Sequence, residues 1–347
     1  MHRPQFKILS IDGGGIRGVI PCIILRFIEG QLGRSISSTF DLIAGTSTGG
    51  IIALGLGKAD AAGQNAFSAQ DMIDLFVEHG STIFSRRRQD FLGWVSTFNK
   101  TTGELFKKPY DSVNIEFILK KYFANNRLSD LLADVLITTY EIKRGTPFYF
   151  ASRLAKANKK ENLLLREIAR STSAAPTFFE PSLVRYDKRY NLAFVDGGVF
   201  ANNPSILGYS EGKELWKRRI DKGFEPEVLA DDKDFPFYML SIGTGYYLNK
   251  IPIEKAKGWR NKDWIEPLLS DVFMRSVAES THFTMRHLLP FYSDGTPRYE
   301  RLDFEIPKEN SLMDDASPKN VEKLCKLAER FVERNKERLL AICDYLQ

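Results

Sequence analysis

A chain of 347 residues, 43% hydrophobic and 27% charged, has the apolar material for one large core or two smaller ones and is not the composition of a disordered protein. Its net charge of +5 suits an anionic surface as partner but is too small to argue a nucleic-acid polymer, and its three cysteines (Cys22, Cys325, Cys343) show neither metal-ligand spacing nor a disulfide framework. No window reaches the length of a membrane-spanning helix and no signal peptide is visible, so the expectation is a cytoplasmic protein that meets lipid from outside the bilayer.

Phe6–Ile11 reads as a buried strand and runs into the turn Asp12-Gly13-Gly14-Gly15-Ile16-Arg17-Gly18. Val19–Leu32 carries Ile20, Ile23, Ile24, Phe27 and Ile28 at helical spacing, with Pro21 in the first turn, where its missing N–H is tolerated. Leu42–Thr46 is a second strand, and Thr48–Gly57 a helix whose Gly49, Gly50 and Ala53 allow close approach to a sheet. Two strand–turn–helix units so early in the chain predict an α/β fold: a mainly parallel central sheet with helices on both faces. A helix is expected at 70–79, strands at 135–142 and 147–151, and a helix at 163–175 stopped by Pro176. A strand at 192–195 ends in Asp196-Gly197-Gly198. A helix at 204–218 opens with proline. Phe237–Ile242 is a strand closed by Gly243-Thr244-Gly245, and helices follow at 264–289 and 320–346. With no repeat and no low-complexity linker, the expectation is one domain over 1–347, a motif-bearing core at about 6–245 and a helical annex at about 255–347.

The chemistry concentrates at the turns. Gly45-Thr46-Ser47-Thr48-Gly49 is a G-x-S-x-G sequence between a strand and a helix, which lifts the serine clear of its neighbours. A serine hydroxyl needs a base to take its proton, and the carbonyl it attacks becomes an oxyanion that needs fixed donors. Gly13, Gly14 and Gly15, ahead of a helix N-terminus, offer such backbone N–H groups, and Arg17 either braces that turn or meets an anionic head group. Two bases compete. His282 or His287 would complete a Ser-His-Asp triad, but the hydrolase fold that carries it places several strands before its nucleophile. Here only 46 residues precede Ser47. Asp196 ends a strand, and Gly197-Gly198 turn the backbone away from it. It then sits where ligand sites of open α/β sheets collect.

The segments 12–18, 45–49 and 196–198 together resemble the three motifs of the patatin-like phospholipases. Thr172-Ser173-Ala174-Ala175-Pro176, Ala201-Asn202-Asn203-Pro204 and Ser241-Ile242-Gly243-Thr244-Gly245 are similar to that family as well, so the resemblance runs from about residue 6 to 245. It implies the patatin-like three-layer sandwich and a Ser47–Asp196 dyad without histidine. It also implies an oxyanion hole at Gly13, Gly14 and Gly15 with Arg17 close by. Gly18, Gly45, Gly49, Gly197 and Gly198 complete the motifs. The implied activity is calcium-independent hydrolysis of acyl esters in membrane phospholipids through an acyl-enzyme, with no cofactor and no metal. Bacterial members of the family include effectors switched on by cyclic nucleotides in phage defence, so a small-molecule activator is carried as an expectation, although the sequence shows no nucleotide site.

Residues 85–108 interleave Arg86, Arg87 and Arg88, then Lys100, Lys107 and Lys108, with Phe91, Trp94 and Phe98. That composition suits a cover that docks on an anionic phospholipid surface, or a solvated connection with core aromatics. The amphipathic stretch from Asn320 packs on the core, pairs with a second copy to make a homodimer, or lies on a membrane. Two further readings compete with the enzyme. A dinucleotide-binding domain would use Gly13 to Gly18, but it needs an acidic residue closing the second strand, whereas Asp41 opens it. A non-catalytic lipid-binding or storage protein on the same fold would keep the motifs without the activity.

Overall fold

In β1 (Phe6–Ile11) successive side chains serve opposite faces of a sheet. Phe6 and Ile8 enter one apolar cluster, and Leu9 and Ile11 the other. β2 (Leu42–Thr46) divides in the same way: Leu42 and Ala44 on one side, Ile43 on the other. Burial on both faces explains why these strands read as near-continuous apolar runs. The computed structural model describes residues 6–85, 110–186, 190–223, 237–248, 250–260, 274–292 and 295–347. The basic and aromatic segment 85–108 lies outside the described residues except for Ser85, as does 264–273 of the expected helix 264–289.

The sheet adds β3 (Asp134–Glu141), β4 (Thr146–Ala151), β5 (Ser182–Arg185), β6 (Asn191–Asp196), β7 (Phe237–Ile242) and β8 (Tyr299–Leu302), in the order β5-β6-β3-β2-β1-β7-β8 with β4 also paired to β3. β3, β2, β1, β7 and β8 run parallel, while β4, β6 and β5 form antiparallel pairs. On one face lie the helices Val19–Leu32, Thr48–Gly57 and Ala69–Ile83 with the C-terminal pair Pro318–Arg334 and Lys336–Leu346. On the other lie Ser205–Asp221 and Met274–Leu288, which bring Trp216 and Met285 against Phe6, Phe237 and Met239. The molecule is a three-layer α/β sandwich.

Local chemistry sets where these helices begin and end. Ser68 and Asp71 form a reciprocal capping box on Ala69–Ile83. That helix runs past the expected stop at His79 because Gly80 is an interior position. A side chain on Gly80 would come within 2.5 Å of Ile16, so the glycine marks close packing and not a terminus. Ser317 caps Pro318–Arg334, and the stretch expected as one helix from 320 breaks at Asn335, whose side-chain amide donates to the Phe331 carbonyl at 2.8 Å. The helix expected over 163–175 is confined to Leu165–Thr172, because Thr172 and Ala174 are taken up by the strands beside them. The C-terminal stretch is largely helical and also supplies β8, which extends the sheet beside β7. No helix among the described residues is long and apolar enough to cross a membrane.

Candidate active site

β2 ends at Thr46, and the chain turns into the Thr48–Gly57 helix through Ser47, whose φ of 55° and ψ of −122° are rare for a residue with a side chain. The turn is clamped from below. The Ser47 amide donates to the Thr172 hydroxyl at 2.8 Å, which donates in turn to the Thr138 carbonyl at 2.7 Å. The Thr46 hydroxyl lies 2.7 Å from that of Thr138 and donates to the Ala201 carbonyl. The motif glycines are sites of close approach. A methyl on Gly45 would sit 2.4 Å from the Gly49 carbonyl oxygen, and one on Gly49 2.2 Å from that of Ile11. One on Gly18 would sit 2.3 Å from the Thr48 hydroxyl, and one on Gly197 2.2 Å from that of Thr138. The serine turn is therefore seated directly on the glycine turn that ends β1.

Asp196 reaches the same level by strand reversal. Thr138 stands opposite Thr46 in the parallel β2·β3 pair, while its neighbour Thr139 stands opposite Asp196 in the antiparallel β3·β6 pair. β6 thus runs towards the serine turn and stops beside it. Asp196 is 5% exposed. Its Oδ1 accepts from the Gly198 amide at 2.7 Å, and the Ser47 side chain lies close enough to act on its carboxyl. Burial raises its pKa to about 6, against the lowering effect of the Gly198 amide and the Ser47 side chain. Met274, at the start of its helix, lies over the Asp-Gly-Gly turn.

The glycine turn divides its tasks. The Gly13 amide is committed to the Asn202 carbonyl at 3.1 Å, so Gly13 is not the oxyanion donor that the sequence leads one to expect. Its part is room, since a methyl there would come 3.2 Å from Ser47 Cβ. Among the described residues no partner is found for the amides of Gly14 or Gly15, and Gly15 holds a φ of 59° that favours glycine. Arg17 is buried and its Nε donates to the Gly14 carbonyl (3.5 Å), so it braces the turn. The Gly13 carbonyl accepts from the Thr244 hydroxyl at 2.9 Å, and the Ile16 amide donates to the Met313 carbonyl at 2.9 Å.

Three of the residues that shape this site carry no assigned role in the sequence. Arg301, on β8, grips Asp12 with both nitrogens (3.2 and 2.6 Å), meets Asp303 at 2.9 Å and donates to Ser241 at 2.8 Å. It ties the start of the glycine turn to the far end of the chain, and nothing in its sequence neighbourhood signals this. Thr172 and Asn202 lie in segments that resemble the family, but only coordinates show what they hold. Asn202 Nδ2 donates to the Gly13 carbonyl at 3.4 Å, and its Oδ1 is buried without a partner among the described residues.

Both histidines that could complete a triad have other neighbours. His282 Nδ1 lies 3.2 Å from the Tyr299 hydroxyl and its ring packs on that of Tyr299, while burial lowers its pKa. His287 is exposed and packs edge-on to Phe283. His282→Ala and His287→Ala are therefore expected to keep turnover within roughly threefold of wild type in a steady-state ester assay. A fall of orders of magnitude in His282→Ala, with Asp196→Asn active, would restore the triad. Among the described residues no group of three or more His, Cys, Asp or Glu side chains is arranged to hold a metal ion.

Residues 9–206 match the model of a family described as patatin-like phospholipase. The chain is 30% identical over 344 residues to patatin-like protein 1 of Arabidopsis thaliana, covering 94% of this chain and 81% of that one. It is 30% identical to patatin-like protein 2 of Oryza sativa subsp. indica, covering 96% and 85%. To patatin group J-1 of Solanum tuberosum it is 28% identical, covering 94% and 84%.

Proposed function

The chain belongs to the patatin-like phospholipase family, and we propose that it is a lipid acyl hydrolase that cleaves phospholipid acyl esters through an acyl-enzyme on Ser47. One observation carries the proposal. A serine in a strained turn stands beside a buried carboxyl with a raised pKa, and the Gly14 and Gly15 amides of the adjoining glycine turn have no partner among the described residues. Asp196 takes the Ser47 proton as Oγ attacks the ester carbonyl, and the Gly14 and Gly15 amides receive the developing oxyanion. The protonated Asp196 then delivers that proton to the departing alcohol. A water repeats the sequence on the acyl-enzyme and releases the fatty acid. Calcium has no task in this scheme, because the glycine turn supplies the charge stabilisation a cation would otherwise give. The substrate surface is a phospholipid bilayer approached from its aqueous side. Control by a small-molecule activator and pairing with a second copy remain part of the proposal.

Release of fatty acid from phosphatidylcholine and phosphatidylglycerol vesicles in excess chelator, followed from pH 4 to 9, tests this. Asp196 must be ionised to act as base, so kcat/KM should rise through about pH 6 and level off above it. Release that appears only with added calcium, or release that persists undiminished in Ser47→Ala, would refute the proposal.

A further inference from the structure

Asn202 Oδ1, without a partner among the described residues, lies close to both reactive groups. A methyl on Gly13 would be 2.6 Å from it and 3.2 Å from Ser47 Cβ. A methyl on Gly198 would be 3.4 Å from it and 3.1 Å from Asp196 Oδ1. Both positions are glycine, so no Cβ of theirs crowds Oδ1 on the sides of the serine and the aspartate. The amide orientation is set by the Gly13 carbonyl. Nδ2 donates to it at 3.4 Å, and turning the amide over would put two oxygens in opposition there. A buried acceptor with nothing to accept from is destabilising, and a bound water is one way such an atom is satisfied.

Resting on the Ser47–Asp196 reading above, we infer that Asn202 Oδ1 holds the water that hydrolyses the acyl-enzyme. The reason lies in counting hydrogens. During acylation the leaving oxygen occupies the space beside Asp196, and an ester oxygen carries no hydrogen, so Asn202 has nothing to bind. Once the alcohol has left, water enters with two. One passes to Asp196 as the water oxygen bonds to the acyl carbon. The other needs an acceptor that fixes the lone pair on the carbonyl, and Asn202 Oδ1 is that acceptor. The tetrahedral intermediate then breaks its bond to Oγ, Ser47 recovers the proton from Asp196, and the carboxylic acid departs. Asn202 is thus specific to the second half-reaction and to a nucleophile with two hydrogens.

Methanol separates these cases, because its one O–H hydrogen goes to Asp196 and it asks nothing of Asn202. The full chain is given p-nitrophenyl butyrate with methanol as a competing nucleophile, and methyl butyrate and butyrate are quantified. In Asn202→Ala the ratio of methyl butyrate to butyrate should rise about tenfold, the loss of one hydrogen bond in the hydrolytic step alone. Asn202→Ser, too short to reach the water, should behave alike and serves if the alanine variant does not fold. An unchanged ratio in both variants, with the two products falling together, would overturn the inference and leave Asn202 as a support of the glycine turn. Fluorophosphonate labelling of the same wild-type sample keeps the two proposals apart. An unlabelled Ser47 means the dyad itself has failed, and the inference falls with it. A labelled Ser47 with an unchanged ratio removes the water-holding role only.

Discussion

Asp196→Asn is expected to lose turnover by about 10^3-fold, while the folded state becomes more stable at neutral pH. Asparagine keeps an oxygen for the Gly198 amide but cannot take a proton from Ser47. The stability gain follows from the raised pKa. An acid at about 6 in the folded state and 3.8 in the unfolded chain binds its proton more tightly when folded. Its contribution to stability is fully present below about pH 4, is lost as pH rises from there through about 6, and leaves a deficit at about pH 7. Removing the charge recovers on the order of 3 kcal/mol as an upper figure, and less where the side chain relaxes. Thermal unfolding of wild type and Asp196→Asn at pH 4 and pH 7.5 checks it. The two curves should lie close at pH 4 and separate at pH 7.5, with the variant higher. A variant less stable at pH 7.5 would mean that Asp196 is paired and not strained by burial.

The second large effect divides Ser47→Ala from Ser47→Gly. Both remove the nucleophile, and turnover should drop by about 10^5-fold in each. Their stabilities should differ. The φ of 55° with ψ of −122° strains any residue that has a Cβ, and alanine retains that strain. Glycine relieves it, so Ser47→Gly is expected to be more stable than Ser47→Ala by about 1–2 kcal/mol despite the greater entropy of its unfolded chain. Urea unfolding of the two variants measures this difference directly. Equal midpoints would mean that the turn is not held under strain, and that Ser47 owes its placement to the clamp through Thr172 alone.

How far the sequence reaches can be judged from particular residues. β1, β2, β7 and the helices Val19–Leu32 and Thr48–Gly57 are legible to the residue, because apolar periodicity and flanking glycines coincide there. β5 and β8 are not. They are four residues each, and β8 reads Tyr-Glu-Arg-Leu, where two charged residues point to solvent on pattern alone. In the fold Arg301 is buried between Asp12 and Asp303, a pairing across most of the chain that no local pattern carries. Asp196 is legible as a residue at a strand end, but the direction of its strand is not, and the reversal of β6 is what brings it level with Ser47. Gly13 reads as an oxyanion donor because bare glycine amides look alike in sequence. Only the Asn202 carbonyl opposite distinguishes it from Gly14 and Gly15.

Peptide mapping by mass spectrometry after treatment with a fluorophosphonate tests the central claim most directly. One adduct per chain is expected, on the peptide that carries Ser47, forming at least about 10^2-fold more slowly in Asp196→Asn. An adduct on another residue, or an unmodified Ser47 in a sample that still releases fatty acid from vesicles, would contradict it.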